Sequence, residues 1–476
     1  MEQGAPSTRP FRWTLKRDGI IAPDERLPWP QTIAVGVQHI FAMFGATVLA
    51  PILMGFDPNT AIFFSGIGTL IFFLIVGGRI PSYLGSSFAF IAVVIAATGY
   101  TGSGPNLNLA VALGGIIAAG ALYAVIGIIV MVVGYAWIEK LMPPVVTGAV
   151  VMVIGLNLAP VAVVTDLAGA TPQITSFNQL VTLITVVSVG LVAVRAPGTL
   201  RHLPILVGGV IGYVVYLCLA NGLGWGPAVD FSKLADAAWI GMPNLTAPTF
   251  TANAMWLIAP VAIVLVAENL GHVKAVGAMT GRNLDPYLGR AFLADGIATM
   301  VAGFGGGTGV TTYAENIGVM AVTKIYSTLI FVIAALVAIL LGFSPKFGAL
   351  ILTIPSAVLG GLAIVLFGLI AVTGARIWIQ NKVDFGINRN LISVAAALTM
   401  GAGNFTVKIG DFELGGIGTA TLTAIVLYAL LGLRGSPEPA AEETPAAGET
   451  PAADETQAAE ETPAAEETPA AGTGVA

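Results

Sequence analysis

The chain has 476 residues, of which 56% are hydrophobic and only 10% are charged. A soluble globular domain carries about 25% charged residues, so this composition excludes an ordinary water-soluble fold and indicates a chain that lies mostly in lipid. The net charge of -6 comes from residues 435–476, which contain ten acidic and no basic residues, and the rest of the chain is net positive. The low pI therefore says nothing about a substrate, and no basic run indicates nucleic-acid binding.

Residues 1–30 form a polar segment that contains five basic residues: Arg9, Arg12, Lys16, Arg17 and Arg26. No apolar core of the signal-peptide type precedes the first hydrophobic run. Basic residues next to a membrane span stay on the cytoplasmic side, so we expect this segment in the cytoplasm. With an even number of spans the C-terminus lies there too, and we expect a multi-pass protein of the cell inner (cytoplasmic) membrane.

About fourteen hydrophobic segments follow within residues 31–434, eleven of them clear and three weaker, and some are too short to span a bilayer alone. We therefore predict an all-α polytopic transmembrane domain over residues 31–434. Cys218, the one cysteine of the chain, lies in one of these segments. It cannot form an internal disulfide, and we expect a small apolar side chain in a packed helix.

Two of the segments are interrupted by small and polar residues. Residues 80–97 read IPSYLGSSFAFIAVVIAA, and residues 303–322 read GFGGGTGVTTYAENIGVMAV. Each becomes steadily apolar only after its Gly-, Ser-, Thr- or Pro-rich start, which is typical of a half-helix that follows non-helical backbone. Within a membrane such backbone is tolerated only where it is buried in protein or lines a cavity, and a pair of such segments indicates a transporter's central site. The alternative is two surface loops that enter ordinary helices.

Ionisable residues inside apolar segments are costly and are therefore functional candidates. Glu268 and His272 are four residues apart, on one face of a helix, and Glu315 begins the second half-helix. Glu268 and His272 could instead be a structural pair that ties two helices together. Asp295 fits a helix-packing or capping group better than a ligand, and with no second His or Cys nearby we expect no metal site.

These side chains suit a planar heterocycle that carries ring N–H groups. Carboxylates accept hydrogen bonds from such groups, and the N–H groups of an unwound segment donate to ring carbonyls. Phe88 and Tyr313 offer aromatic faces beside the two interruptions, although Phe88 could equally be lipid-facing bulk. The same carboxyl groups could hold a coupling proton, and His272 could modulate their affinity for that proton. In the first span, we expect His39 to make an interhelical hydrogen bond.

Four motifs occur in an order that identifies a family. Residues 315–324, ENIGVMAVTK, match the signature [Q/E/P]-N-x-G-x-x-x-x-T-[R/K/G], with Asn316 and Gly318 at its fixed positions. The other three are Gln38–His39, GSSFAF at residues 85–90 and AENLGH at residues 267–272. On these motifs, residues 30–433 resemble the nucleobase–ascorbate transporters, also called the nucleobase:cation symporter-2 family. The segment APDERLPWPQT, residues 22–32, makes the chain most similar to the bacterial uracil permeases of pyrimidine utilisation.

The resemblance implies fourteen transmembrane segments in two inverted repeats of seven, divided into a core and a gate domain, with short antiparallel strands in the two broken segments. It implies that Glu268 and Glu315 bind the base, that His272 tunes proton coupling, and that backbone near Phe88 and Ala314 completes the site. Uracil would then enter by proton symport, with no cofactor and no enzymatic step. A homodimer through the gate domains is a further expectation. Phe367 departs from related uracil carriers, which can present a tyrosine there.

Alternatives remain at this stage. A xanthine or urate carrier would keep the fold, although Glu315 at the head of the signature favours uracil. A sulfate-type anion transporter is disfavoured by two carboxylates at the site. No sequence motif supports an intramembrane enzyme or a channel filter. Residues 435–476 repeat an EETPAA-like unit, and we expect a disordered cytoplasmic tail that transport does not need.

Overall fold

The structure is a computed structural model that describes residues 12–102, 104–165, 171–409 and 412–433. The acidic tail, and with it the prediction of disorder, lies outside the described residues. The described helices belong to one compact unit that ends at Leu433.

The described residues form eighteen α-helices. In chain order they are α1 Trp29–Met54, α2 Pro58–Ile75, α3 Ala89–Thr98, α4 Leu109–Val133, α5 Ala136–Leu141, α6 Pro144–Pro160, α7 Pro172–Arg195, α8 Pro204–Leu217, α9 Ser232–Asp236, α10 Ala252–Ile258, α11 Val261–Thr280, α12 Leu288–Gly305, α13 Ala314–Thr323, α14 Thr328–Gly342, α15 Pro345–Ile351, α16 Ser356–Gln380, α17 Asn388–Ala402 and α18 Gly416–Gly432. One π-helical turn extends α6 at Val161–Thr165 and another extends α8 at Cys218–Gly222.

Six short strands in the same residues form three pairs. They are β1 Thr14–Leu15 with β2 Glu25–Arg26, β3 Leu84–Ser86 with β4 Val310–Thr312, and β5 Val407–Ile409 with β6 Phe412–Leu414. The first pair is parallel, and the other two are antiparallel. Only the pair of β3 and β4 lies in the two broken segments, where the family resemblance placed it.

The prediction of fourteen membrane segments in two inverted repeats is confirmed for the described residues. Eight helical stretches are long and apolar enough to cross a bilayer, and α14 with α15, bent by 90° at their junction, makes a ninth. The half-helices α3 and α13, together with α12, α17 and α18, complete the set. The first repeat comprises α1 to α8, and the second comprises α10 to α18.

Helix packing repeats between the two halves. In the core, the packing of α2 against α14 corresponds to the packing of α12 against α4. In the gate, the pair of α7 and α8 corresponds to the pair of α17 and α18. Helices α6 and α16, which correspond to each other, also pack together. The core domain therefore contains α1 to α4 and α10 to α14, and the gate domain contains α6 to α8 and α16 to α18.

Small residues bring the core helices close together. A Cβ atom on Gly120 of α4 would lie 2.8 Å from the carbonyl oxygen of Gly296 in α12, and a Cβ on Gly296 would lie 2.6 Å from that of Gly120. No larger residue fits at this crossing, which explains part of the glycine content of the chain. Transmembrane helices use such small residues because lipid provides no hydrophobic force that drives helices together.

Two expectations need correction. Cys218 is exposed on the surface of the gate domain, so it is not the packed side chain that we predicted. It lies in the π-helical turn that ends α8, and such a turn shifts the side chains that follow it around the helix. The hydrophobic run Ala254–Ala267 predicts a span that ends before Glu268, but the structure has one span from Ala252 to Thr280 with a break at Pro260. Glu268 and His272 therefore lie well inside it.

Candidate functional site

The two broken segments meet in the middle of the core domain. Strands β3 and β4 pair antiparallel, with Leu84 opposite Thr312, Gly85 opposite Thr311 and Ser86 opposite Val310. One further hydrogen bond extends the ladder at each end, from Ser87 N–H to Gly309 O at 2.9 Å and from Tyr313 N–H to Tyr83 O at 3.0 Å. The half-helices α3 and α13 begin immediately after these strands, so their N-termini approach the centre from opposite halves of the chain.

Two equivalent threonines bind the outer edges of this strand pair. The hydroxyl of Thr69 in α2 accepts a hydrogen bond from Leu84 N–H at 2.9 Å and lies 3.4 Å from Leu84 O. In α12, the Thr299 hydroxyl accepts from Val310 N–H and donates to Val310 O, both at 3.1 Å. Both threonines are fully buried. They satisfy backbone groups that an isolated two-stranded sheet would leave unpaired inside the membrane. Sequence reasoning missed both residues.

Glu268 and Glu315 lie on two helices that contact each other. Glu268 is in α11 and Glu315 is in the first turn of α13, and their carboxyl groups are close enough to interact electrostatically. The Glu268 Oε2 atom is buried, and no described residue forms a hydrogen bond with it. A buried carboxylate oxygen without a donor is costly. This atom is therefore free to accept a hydrogen bond from a water molecule or from an N–H group of a ligand.

A chain of hydrogen bonds begins one helical turn after Glu268. His272 Nδ1 lies 2.9 Å from the Thr312 hydroxyl, which donates to Asn269 Oδ1 at 3.4 Å. The amide of Asn269 donates to Asp295 Oδ2 at 2.7 Å and to the Tyr123 hydroxyl at 2.9 Å. Since Thr312 has one hydroxyl proton and gives it to Asn269, His272 donates through Nδ1. His272 thus connects α11 to β4, and Asp295 at the far end of these hydrogen bonds is fully buried.

Phe88 extends from the core domain to the gate domain. Its ring meets Phe367 of α16 edge to face, with centroids 5.6 Å apart and an angle of 87° between the planes. Both side chains are buried, so Phe88 is not lipid-facing bulk. Phe367 is the residue that departs from the uracil-carrier pattern. It therefore borders the same region with a phenyl ring that lacks the hydroxyl group of a tyrosine.

Tyr313 directs its hydroxyl into the protein. That hydroxyl accepts a hydrogen bond from Thr47 at 3.1 Å and donates to the Ser86 carbonyl at 2.9 Å, and its ring lies against Gly85. These contacts leave only the ring and backbone of Tyr313 for a ligand. Ala314, half buried, is the first residue of α13, where the N–H groups of a helix have no intrahelical acceptor.

Asn316 connects α13 to α1. Its amide donates to the carbonyl oxygen of His39 at 3.0 Å and to His39 Nδ1 at 2.9 Å. The imidazole is therefore neutral with its proton on Nε2, and its ring lies 4.7 Å from that of Phe331. Gln38 Nε2 is buried, with no hydrogen-bond partner among the described residues. Gly318 is exposed and has open space around it, so it does not line the site.

A separate apolar cavity of about 80 Å³ lies where α1 of the core meets α8 and α16 of the gate. Its walls contain none of the ionisable residues discussed above. They include Phe44, Gly45, Val48, Ile205, Gly209, Tyr213, Val358 and Leu362. In the part of the chain that the structure describes, no three His, Cys, Asp or Glu side chains converge as metal ligands.

Known proteins resemble this chain in both sequence and fold. Residues 30–410 match Xan_ur_permease, described as "Permease family". The chain is 62% identical to "Putative pyrimidine permease RutG" of Escherichia coli (strain K12) over 423 residues, covering 88% of this chain and 94% of that protein. It is 42% identical to "Uracil permease" of Bacillus caldolyticus over 419 residues, covering 86% and 94%.

Among solved structures, the transmembrane domain of a cyanobacterium bicarbonate transporter, BicA, matches with a TM-score of 0.58. The match covers 84% of this chain and 97% of that one at 18% identity, which establishes a shared fold and no shared substrate. The family match, together with the long relatives above 30% identity, confirms the resemblance that the four motifs indicated. The chain belongs to the Permease family, Xan_ur_permease, and is a membrane permease and not an enzyme.

Proposed function

We propose that this chain imports uracil, or a closely related pyrimidine base, together with a proton, by alternating access between the core and gate domains. The observation that carries the proposal is the meeting of Glu268 and Glu315 at the N-terminus of the half-helix α13. The names of the two permeases described above, one for pyrimidines and one for uracil, support the same substrate class.

The chemistry of uracil fits these groups. The ring has two N–H donors and two carbonyl acceptors in one plane. Glu268, whose Oε2 has no partner among the described residues, and Glu315 supply acceptors for N–H groups. Backbone N–H groups in the first turns of α3 and α13, close to Phe88 and Ala314, supply donors for the carbonyls. Phe88 contributes an apolar ring edge beside the plane of the base.

Proton coupling follows from the same carboxyl groups. Two carboxylates that lie close together in an apolar site repel each other, so binding of one proton by either of them stabilises the pair. His272 lies one turn from Glu268 and forms a hydrogen bond with Thr312 of β4. A change in this hydrogen bond therefore alters the strand that precedes Glu315. Binding of the base and binding of the proton are thereby linked in one cluster.

Uptake of radiolabelled uracil into proteoliposomes tests this proposal. We expect faster uptake with an inward proton gradient, and loss of that acceleration when a protonophore is added. A sodium gradient without a proton gradient serves as the control for the coupling ion. Equal uptake with and without the protonophore would remove proton coupling from the proposal and leave the substrate in place.

A competition panel decides the substrate. Unlabelled uracil and thymine should compete with labelled uracil, and xanthine and urate should not. Strong competition by xanthine or urate would favour a purine carrier with the same fold. Unlabelled bicarbonate and sulfate test the alternative that this chain is an anion transporter, which its shared fold with BicA raises. We expect neither to compete, because two carboxyl groups repel an anion.

A further inference from the structure

We propose that two non-helical segments outside the membrane helices act as reciprocal straps that join the two repeats of the core domain into one moving body, and that the first strap positions the half-helix of Glu315. The first strap is residues 12–28, before α1, and the second strap is residues 238–251, before α10. This inference rests on the proposed alternating access, because it specifies which segments move with the core.

The first strap crosses from the first repeat to the second. Ile21, which is 1% exposed, forms an isolated parallel bridge with Ile325 in the link between α13 and α14. Its N–H donates to Lys324 O at 3.0 Å, and its carbonyl accepts from Tyr326 N–H at 2.8 Å. Pro23 O accepts from both the N–H and the hydroxyl of Thr328 at 3.0 Å. These bonds fix the end of α13 and the start of α14.

Side chains of the first strap strengthen this attachment. Asp24 forms an ion pair with Arg282 just after α11. The Trp13 indole N–H donates to the Thr328 hydroxyl at 2.9 Å, and its ring stacks on Phe73 of α2 with centroids 6.0 Å apart. Every one of these partners belongs to the core domain.

The second strap crosses in the opposite direction, from the second repeat to the first. The Asn244 amide donates to Asp57 Oδ2 at 2.6 Å, just before α2, and the Asn244 carbonyl accepts from the Thr60 hydroxyl at 3.2 Å. Thr249 N–H donates to Ala110 O at 2.7 Å, at the start of α4. Since Asp57 follows the C-terminal end of α1, this strap lies at the membrane face opposite to the first strap.

The two sets of bonds are equivalent. The first strap reaches the end of α11 and the start of α14, and the second reaches the end of α1 and the start of α4. Helices α11 and α1 occupy the same place in their repeats, and so do α14 and α4. Each repeat thus uses its own leading segment to bind the other repeat at one face of the core.

The first strap has a direct relation to the site. Its bonds to Lys324, Ile325 and Thr328 determine where α13 ends, and Glu315 lies at the other end of that ten-residue helix. A helix transmits an axial shift along its length because its backbone hydrogen bonds are continuous. Residues of the first strap, above all Ile21 and Asp24, are therefore positioning residues for Glu315 without contacting the substrate.

Disulfides test whether the first strap moves with the core. The background is Cys218→Ala, which removes the one native thiol. The strap pair is Ile21→Cys with Ile325→Cys, whose backbones are already bridged. The core–gate pair is Gly45→Cys with Ile205→Cys, where a Cβ on Gly45 lies 3.4 Å from the Ile205 Cβ, near disulfide geometry. Gly68→Cys with Ala298→Cys, at 3.3 Å between Cβ atoms, joins the two repeats inside the core as a control.

Each variant is compared oxidised and reduced, so its own reduced form controls for folding. We expect oxidation to change uracil uptake less than about two-fold for the strap pair and the intra-core pair, and to lower it at least about ten-fold, reversibly, for the core–gate pair. Loss of uptake on oxidising the strap pair would overturn the proposal. Undiminished uptake with the core–gate pair oxidised would instead refute alternating access, and with it the moving body that the straps are proposed to join.

Amide hydrogen exchange gives a readout that does not depend on transport. The N–H groups of Ile21, Tyr326 and Thr328 should exchange as slowly as those in the buried core helices, with or without uracil. Rapid exchange at these three amides, with the core helices still protected, would show a loose strap and overturn the proposal. Asp24→Ala should raise the Kd for uracil, and the exchanged pair Asp24→Arg with Arg282→Asp should restore it. An unchanged Kd in Asp24→Ala would contradict the positioning role.

Discussion

At the scale of single residues, the sequence was most informative where an ionisable residue lies within an apolar segment. Glu268, His272 and Glu315 could be selected because burying such groups is costly, and the structure places Glu268 beside Glu315. The partners of Tyr313 could not be predicted, because its hydroxyl bonds Thr47 in α1 and the Ser86 carbonyl in the other half of the chain. An aromatic residue two positions before a carboxylate gives no indication of the direction of its hydroxyl.

Neutral replacement of either site carboxylate tests the site. We expect Glu268→Gln and Glu315→Gln each to raise the Kd for uracil about 10- to 150-fold, because a hydrogen bond to a charged group contributes about 1.5–3 kcal/mol and the amide presents a donor as well. Calorimetry or tryptophan fluorescence on purified protein measures the Kd. Glu139→Gln is the control, since Glu139 pairs with Lys274 outside the site. Unchanged affinity in both site variants would place the substrate elsewhere.

At the scale of elements, the half-helices were predictable and the strands were not. Gly, Ser and Thr before an apolar run indicate that a helix begins late, as α3 and α13 do. A three-residue strand is too short to show the alternation that identifies a β-strand, so β3 and β4 followed only from the family resemblance. Thr69 and Thr299 gave no signal at all, since a threonine in a membrane helix commonly bonds its own helix backbone.

Removing either threonine hydroxyl should loosen the strand pair. Thr69→Val leaves Leu84 N–H without its acceptor, and Thr299→Val does the same to Val310 N–H. Because both groups are buried, we expect each change to cost about 1–3 kcal/mol and to lower the melting temperature in detergent. Thr373→Val is the matched control, because the partly exposed Thr373 bonds only its own helix. Equal stability of all three variants would show that the threonines do not secure the strands.

At the scale of the whole molecule, the family resemblance implied two inverted halves, and the packing of α2 with α14 and of α4 with α12 agrees with them. The division into core and gate followed from the resemblance, since helix order does not determine which helices pack together. The sequence did not indicate that the two straps connect the repeats, because they contain no periodic pattern. Apolar and polar residues are mixed in both straps, and their partners lie in the opposite repeat.

Truncation tests the acidic tail. A chain that ends at Leu433 should take up uracil at the full-length rate per folded protein, because a segment with so few large apolar residues cannot contribute a packed core. Uptake in cells and in proteoliposomes measures the effect. A second variant, with the ten acidic tail residues replaced by Gln, separates charge from length. Loss of uptake in the truncated chain would contradict the expectation.

The pairing of β3 with β4 has a consequence for biosynthesis. Leu84, Gly85 and Ser86 emerge from the ribosome with the first half of the chain, and their hydrogen-bond partners in β4 are translated only after α12. Until then Thr69 can satisfy Leu84 N–H, but the groups that pair with β4 have no partner in lipid, a state that bilayers do not tolerate for long. Half a chain therefore has no stable folded form of its own, and insertion into the membrane finishes only when the two halves meet.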